Sequence, residues 1–131
     1  MSALKTVHID THVAAWLYAG DKQRLGAVVD QWRGAAVRCC PMVEFELSYL
    51  HEIGRLRDPA SMIMAALGKQ FGVATSASPW TEVVRVAANL TFTRDPFDQL
   101  IAADALWQGA PLYTADRRLL QHVPVARWLE S

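Results

Sequence analysis

Apolar residues along this chain keep two rhythms, short near-continuous runs and longer stretches at helical spacing. "KTVHID" (5–10), "AAVRCC" (35–40), "VATSA" (73–77) and "APLYTAD" (110–116) read as strands. Helical stretches fall between them. Residues 11–20 form a short helix with Thr11 able to cap it, and 22–34 form another, closed by Gly34. Pro41 begins a helix over 41–54. The helix over 58–72 takes Asp58 as cap and Pro59 as first residue, and 78–90 repeats the start as Ser-Pro. Asp95-Pro96 opens 95–109, which Gly109 closes; 117–123 is a short helix and 124–130 a last strand or tail.

Strands alternating with helices predict an α/β sandwich on a mainly parallel sheet. In such sheets sites lie outside the carboxyl ends of the strands. Asp10 and Asp116 each follow an apolar strand-like run, so both are candidates for one rim. No repeat or linker divides the sequence, and 1–131 reads as one domain.

The helix over 41–54 contains an anomaly. On a helical wheel, Met42, Val43, Phe45, Leu47, Tyr49, Leu50 and Ile53 gather on one broad face, and Glu44 falls opposite with Ser48, His51 and Arg55. Glu46 falls near the middle of the apolar stripe. A carboxylate aimed at a core is costly unless paired, protonated or bound to metal.

Composition narrows the classes without choosing one. Apolar residues make up 52% and charged residues 20%, which suits a folded globular domain. No apolar run approaches the roughly 18 residues of a membrane span, and the first ten residues lack a signal-peptide apolar region. A cytoplasmic protein is expected. Cys39 and Cys40 are neighbours and read as small buried residues of a reducing compartment. The net charge of zero advertises no general nucleic-acid field; binding of that kind would rest on local arginines such as Arg94, Arg117 and Arg118.

Four carboxylates stand out by placement: Asp10 and Asp116 at strand ends, Glu46 in its apolar face, and Asp98 in the first turn after Asp95-Pro96. They are 36, 52 and 18 residues apart, so only a fold unites them. Acids converging on one rim repel, burial raises their pKa values, and a divalent cation resolves the conflict. All-oxygen ligation favours Mg²⁺ or Mn²⁺ over zinc. Each acid has an ordinary alternative: Asp98 as a first-turn dipole partner, Asp116 as a helix cap, Asp10 as an Asx-turn residue, Glu46 in an ion pair with a buried arginine. Asp104, also on an apolar side, reads either as a further site acid or as an arginine partner. Thr114 reads either as a hydroxyl for the site or as strand filler.

With these residues assembled, the chain resembles PIN-domain proteins of the VapC-like kind, toxin ribonucleases of bacterial toxin–antitoxin pairs. The stretches that carry the likeness are "HIDTHVAAWLYAGD", "CPMVEFELSYLHEIGRL" and "RDPFDQLIAADALWQGAPLYTAD", in family order over nearly the whole chain. The resemblance implies a three-layer α/β/α PIN-like fold with a central mainly parallel sheet. The family's acids match Asp10, Glu46, Asp98 and Asp116. One departure is Gln99, where many relatives place arginine.

A site of this kind hydrolyses a phosphodiester with metal-activated water. Asp10, Asp98 and Asp116 are expected as direct ligands, and Glu46 as a further ligand or an orienter of water. The resemblance further implies a single-stranded or looped RNA substrate, a homodimer and a small antitoxin that blocks the groove. A haloacid-dehalogenase reading needs an aspartate where His12 stands, and a receiver domain needs a late lysine, yet the last is Lys69. The remaining rival is a catalytically weak or inactive PIN module that binds RNA or a protein partner.

Overall fold

The computed structural model describes residues 5–128. A five-stranded, all-parallel sheet runs in the order β3-β2-β1-β4-β5, from β1 (Thr6–Ile9), β2 (Ala36–Cys39), β3 (Ala74–Thr75), β4 (Leu112–Tyr113) and β5 (Ala126–Arg127). Seven α-helices accompany it among the described residues: α1 (Thr11–Ala19), α2 (Lys22–Leu25), α3 (Pro41–Glu52), α4 (Ala60–Phe71), α5 (Trp80–Ala88), α6 (Pro96–Gln108) and α7 (Arg117–His122). The arrangement is the three-layer α/β/α fold that the resemblance implies. No helix among the described residues is long and apolar enough to cross a membrane.

A parallel sheet covered on both faces selects near-continuous apolar strands. Val7, His8 and Ile9 of β1 are all buried, as are Leu112 and Tyr113 of β4. β1 is central, pairing with β2 through Thr6↔Ala36 and with β4 through His8↔Leu112. The chain steps from β1 outward to β3, then returns past β1 to β4. The connections therefore diverge between β1 and β4, and a crevice opens there beyond the strands' carboxyl ends.

Several elements differ from the sequence expectation. Residues 22–34 do not form one helix: α2 stops at Leu25, Gly26 turns at φ +55°, and a 3-10 turn covers Val28–Trp32. A left-handed glycine ends the helical hydrogen-bond ladder whatever the apolar spacing around it. Asp10, not Thr11, caps α1, accepting from the Val13 N–H at 3.0 Å. Asp58 and Ser78 do not cap their helices, which begin after Pro59 and Pro79. Both side chains have longer-range partners: Asp58 accepts from the Tyr18 hydroxyl at 2.5 Å, and Ser78 donates to Asp104. The strands at 73–77 and 110–116 shorten to two paired residues each, and residues 129–130 of the last segment lie outside the described residues.

Caps with no such competitor behave as expected. Asp95 accepts from the Phe97 and Asp98 N–H groups, Pro41 and Pro96 stand in first turns, and Gly109 closes α6 at φ +66°. Cys39 and Cys40 are free and buried, and burial first of all pushes the Cys39 thiol up to about 12.

The apolar stripe of α3 is wider than the core can cover. Val43 and Leu47 are buried, whereas Phe45, Tyr49 and Ile53 are exposed. Glu46 stands half-buried on the border between these two sets.

Asp104 of α6 is fully buried, and among the described residues it is held by hydroxyls and forms no ion pair with an arginine. Ser76 and Ser78, just past β3, donate to its two carboxylate oxygens, and Gln108 donates to the Ser78 hydroxyl at 2.7 Å. The network ties the segment before α5 to α6. Asp104→Ala strips both hydroxyls of their acceptor, and chemical denaturation should show a loss of about 1–3 kcal/mol.

Candidate active site

The crevice between β1 and β4 collects the four acids singled out in the sequence. Asp10 follows β1 directly and is 5% exposed. Its Oδ1 is held by the Val13 N–H, and the Thr114 hydroxyl also bonds its side chain. The Asp10 N–H in turn donates to the Tyr113 carbonyl at 3.2 Å, stitching the end of β1 to β4. Asp116 follows β4 and caps α7, accepting from the Arg118 and Leu119 N–H groups at 2.8 and 3.1 Å. Its own N–H donates to the Thr114 oxygen at 3.0 Å. Thr114 is thus no strand filler; buried between the two aspartates, it touches both.

Glu46 reaches in from α3, where its Oε1 accepts from the Thr11 hydroxyl at 2.5 Å. No arginine pairs with it: the two ion pairs among the described residues join Asp21 to Arg24 and Asp30 to Arg33. Asp98 enters from the first turn of α6.

Electrostatics records how near these groups are. Burial and then the charges of Asp95, Asp116, Glu46 and Asp10 push the Asp98 carboxyl up to about 7. Burial raises Glu46, helped by Asp95 and Asp10 and opposed by the Thr11 hydrogen bond and His12. Burial also raises Asp10, helped by Asp116 and opposed by Thr114, Val13 and His12. All three shifts share one direction, that of carboxylates short of positive charge.

Thr11, His12 and Asp95 belong to this neighbourhood, and the sequence reading gave them other roles or none. Their clue was position, since each lies within three residues of a singled-out acid. Gln99 faces elsewhere: its Nε2 donates to the Leu90 carbonyl at 2.9 Å, tying α6 to the segment after α5.

Beside the acids lies an open cavity of about 430 Å³, lined by Asp98, Asp116, Arg117, Arg118, Gln121 and His122. Its two guanidinium-bearing residues offer anion contacts at the edge of an acidic pocket. The donor set suits a hard divalent cation in charge and atom type, being oxygen-only, with Asp10 buried, Glu46 and Asp98 half-buried and Asp116 open to solvent. Among the described residues, no three His, Cys, Asp or Glu side chains are arranged to grip an ion as they stand. Capping holds Asp116 and Asp10 by one oxygen each, and Thr11 holds Glu46.

Sheet order, switch-point crevice and acidic lining together define a PIN-like α/β/α domain. No family model matches the chain. Ribonuclease VapC22 of Mycobacterium tuberculosis (strain ATCC 25618 / H37Rv) is 32% identical over 132 residues, covering 95% of this chain and 100% of that protein. The chain belongs to the VapC-like PIN-domain toxin family. Solved structures repeat the fold at lower identity. VapBC2 of Rickettsia felis, bound to a DNA fragment from its promoter, matches with TM-score 0.69 at 13% identity, over 93% of this chain and 97% of that one. PAE2754 of Pyrobaculum aerophilum matches with TM-score 0.59 at 23% identity, over 95% and 89%.

Proposed function

We propose that this protein is a Mg²⁺-dependent endoribonuclease, the toxin of a toxin–antitoxin pair, acting inside the cell on RNA phosphodiesters. The observation that carries the reading is the Asp98 carboxyl, pushed up to about 7 by burial and four neighbouring acids. A soluble domain gains nothing from so costly a cluster unless a cation completes it. The ribonuclease relative supplies the reaction class.

Asp10, Asp98, Asp116 and Glu46 are the residues to hold the ion. When bound, Mg²⁺ or Mn²⁺ supplies Lewis acidity, making water nucleophilic at neutral pH and neutralising charge on phosphate. Thr114 fixes Asp10 against Asp116, and Thr11 fixes Glu46, so the acids are positioned before substrate arrives. Arg117 and Arg118 contact a phosphate flanking the cut. A homodimer and a cognate antitoxin, which covers this rim with a basic side chain, complete the proposal. The structure of an antitoxin-bound relative with this fold supports the latter.

A second reading has its own observation: no three of these acids yet grip one point, as in a module that binds RNA or protein without cutting. Titration of Mg²⁺ into a defined single-stranded RNA separates the two. Cleavage that rises with Mg²⁺ and stops with chelator is expected. Binding without cleavage at saturating Mg²⁺ and Mn²⁺ decides for the second reading.

A further inference from the structure

A second cavity, about 530 Å³, opens on the same rim and has no part in the acidic cluster. Thr75, the last residue of β3, and Pro41, just past β2, both line it, so it lies outside the carboxyl ends of these strands. Glu44 lines it as well. The Glu44 charge contributes to raising the Cys39 thiol, which places its carboxylate near the end of β2. Along β3-β2-β1-β4-β5 the rim therefore runs from this cavity, past the acids after β1 and β4, to the arginines of α7. Adjacent strands are about 5 Å apart, which sets the cavity about 5–10 Å from Asp10 along the sheet.

One wall is the Phe45 ring, 62% exposed and immediately before Glu46 in sequence. It is braced at 5.8 Å by Phe97, which precedes Asp98 and also meets Tyr49 at 6.0 Å. An exposed ring held by a second ring and continuous with a phosphodiester site is what an unpaired base stacks on. The remaining lining is mixed: Pro41, Pro59 and Ala60 are apolar, while Glu44 and the hydroxyl-bearing Ser48, Ser61 and Thr75 supply the polar groups. A carboxylate only accepts hydrogen bonds. It is best matched by a base edge with two adjacent N–H donors, which guanine presents at N1 and its exocyclic amino group. Adenine, cytosine and uracil present one donor group each on that edge.

We propose that this cavity takes the unpaired guanine next to the scissile phosphate, stacked on Phe45 and read by Glu44. The inference rests on the reading of RNA as substrate and adds the base that the site selects.

The test uses the full chain carrying Asp98→Asn, in Mg²⁺, so that binding is read apart from cleavage. Short single-stranded RNAs identical except for one G, A, C, U or inosine are titrated by fluorescence anisotropy. The G-containing RNA should bind about 10-fold tighter than the others, and inosine, lacking the amino group, should lose most of that gain. Adding Glu44→Gln should level the bases. Adding Phe45→Ala should weaken all of them by about 10-fold, with Phe45→Trp restoring affinity. Equal affinities for all bases, no RNA binding, or indifference to both substitutions would overturn the proposal. So would a Phe45→Ala change in oligomeric state with RNA affinity intact, which assigns the ring to a protein contact. Guanine-selective binding by a wild-type chain that never cleaves would leave the pocket standing and sink the nuclease reading. Cleavage blind to base identity would do the reverse.

Discussion

Asp98→Asn should abolish RNA cleavage and, in metal-free buffer, leave the protein as stable as the wild type or more so. The two halves of that result have one origin. Asp98 stands desolvated among Asp95, Asp116, Glu46 and Asp10, so its charge is disfavoured in the folded chain. The amide keeps the shape of the side chain and removes the repulsion. The same charge is what a divalent ion needs. Metal-ion stabilisation of a phosphoryl transition state is worth several kcal/mol. At about 1.4 kcal/mol per tenfold, losing it costs at least about 100-fold in rate. Asp10→Asn should do the same, because Asp10 is the most buried of the four. Single-turnover cleavage of a labelled single-stranded RNA, paired with thermal melts in chelator, reads both effects. Wild-type cleavage by either variant refutes the assignment, and unfolding of both would recast these acids as structural.

Much of this arrangement was legible along the chain, for identifiable reasons. Asp10 and Asp116 follow strands whose apolar runs are unmistakable, and parallel-sheet topology puts such residues on one rim. The wheel separated Glu46 from Glu44, and in the fold Glu46 is half-buried against Thr11 while Glu44 is exposed. Hidden from the sequence was anything decided by a distant partner. Thr11 looked like a cap because its neighbours permit one, but Asp10 takes that place and frees the Thr11 hydroxyl for a residue 35 positions away. Asp58 and Ser78 were drawn off in the same way, by Tyr18 and Asp104. The apolar rhythm of 22–34 concealed the left-handed Gly26, which only the traced backbone reveals. Asp104 carried a true signal, a carboxylate facing a core, yet its partners are two serines just past β3 that no helical pattern points to.

The pocket's charge should also be readable as a slope of stability against pH. Asp98 has a folded-state pKa of about 7 against 3.8 for the unconstrained group, so the folded chain holds its proton more tightly than the unfolded chain. Stability from this group is therefore fully present below the unfolded value and is lost as pH rises through the folded one. Between about pH 4 and pH 7 the metal-free protein should lose stability on this account, and Asp10 and Glu46 act in the same direction. His8 works against it. Its ring is buried with both nitrogens unpartnered among the described residues, and burial lowers its pKa, so it favours folding as pH rises. The raw melting curve sums these opposed slopes, and the informative quantity is the difference between wild type and Asp98→Asn, where His8 cancels. That difference should grow in favour of the variant as pH rises toward about 7. Saturating Mg²⁺ should shrink or reverse it, because the ion binds the carboxylate that the proton otherwise protects. A wild-type minus variant difference flat across this range, with or without Mg²⁺, would mean that Asp98 is solvated like any surface acid and that the pocket holds no pent-up charge for a cation to relieve.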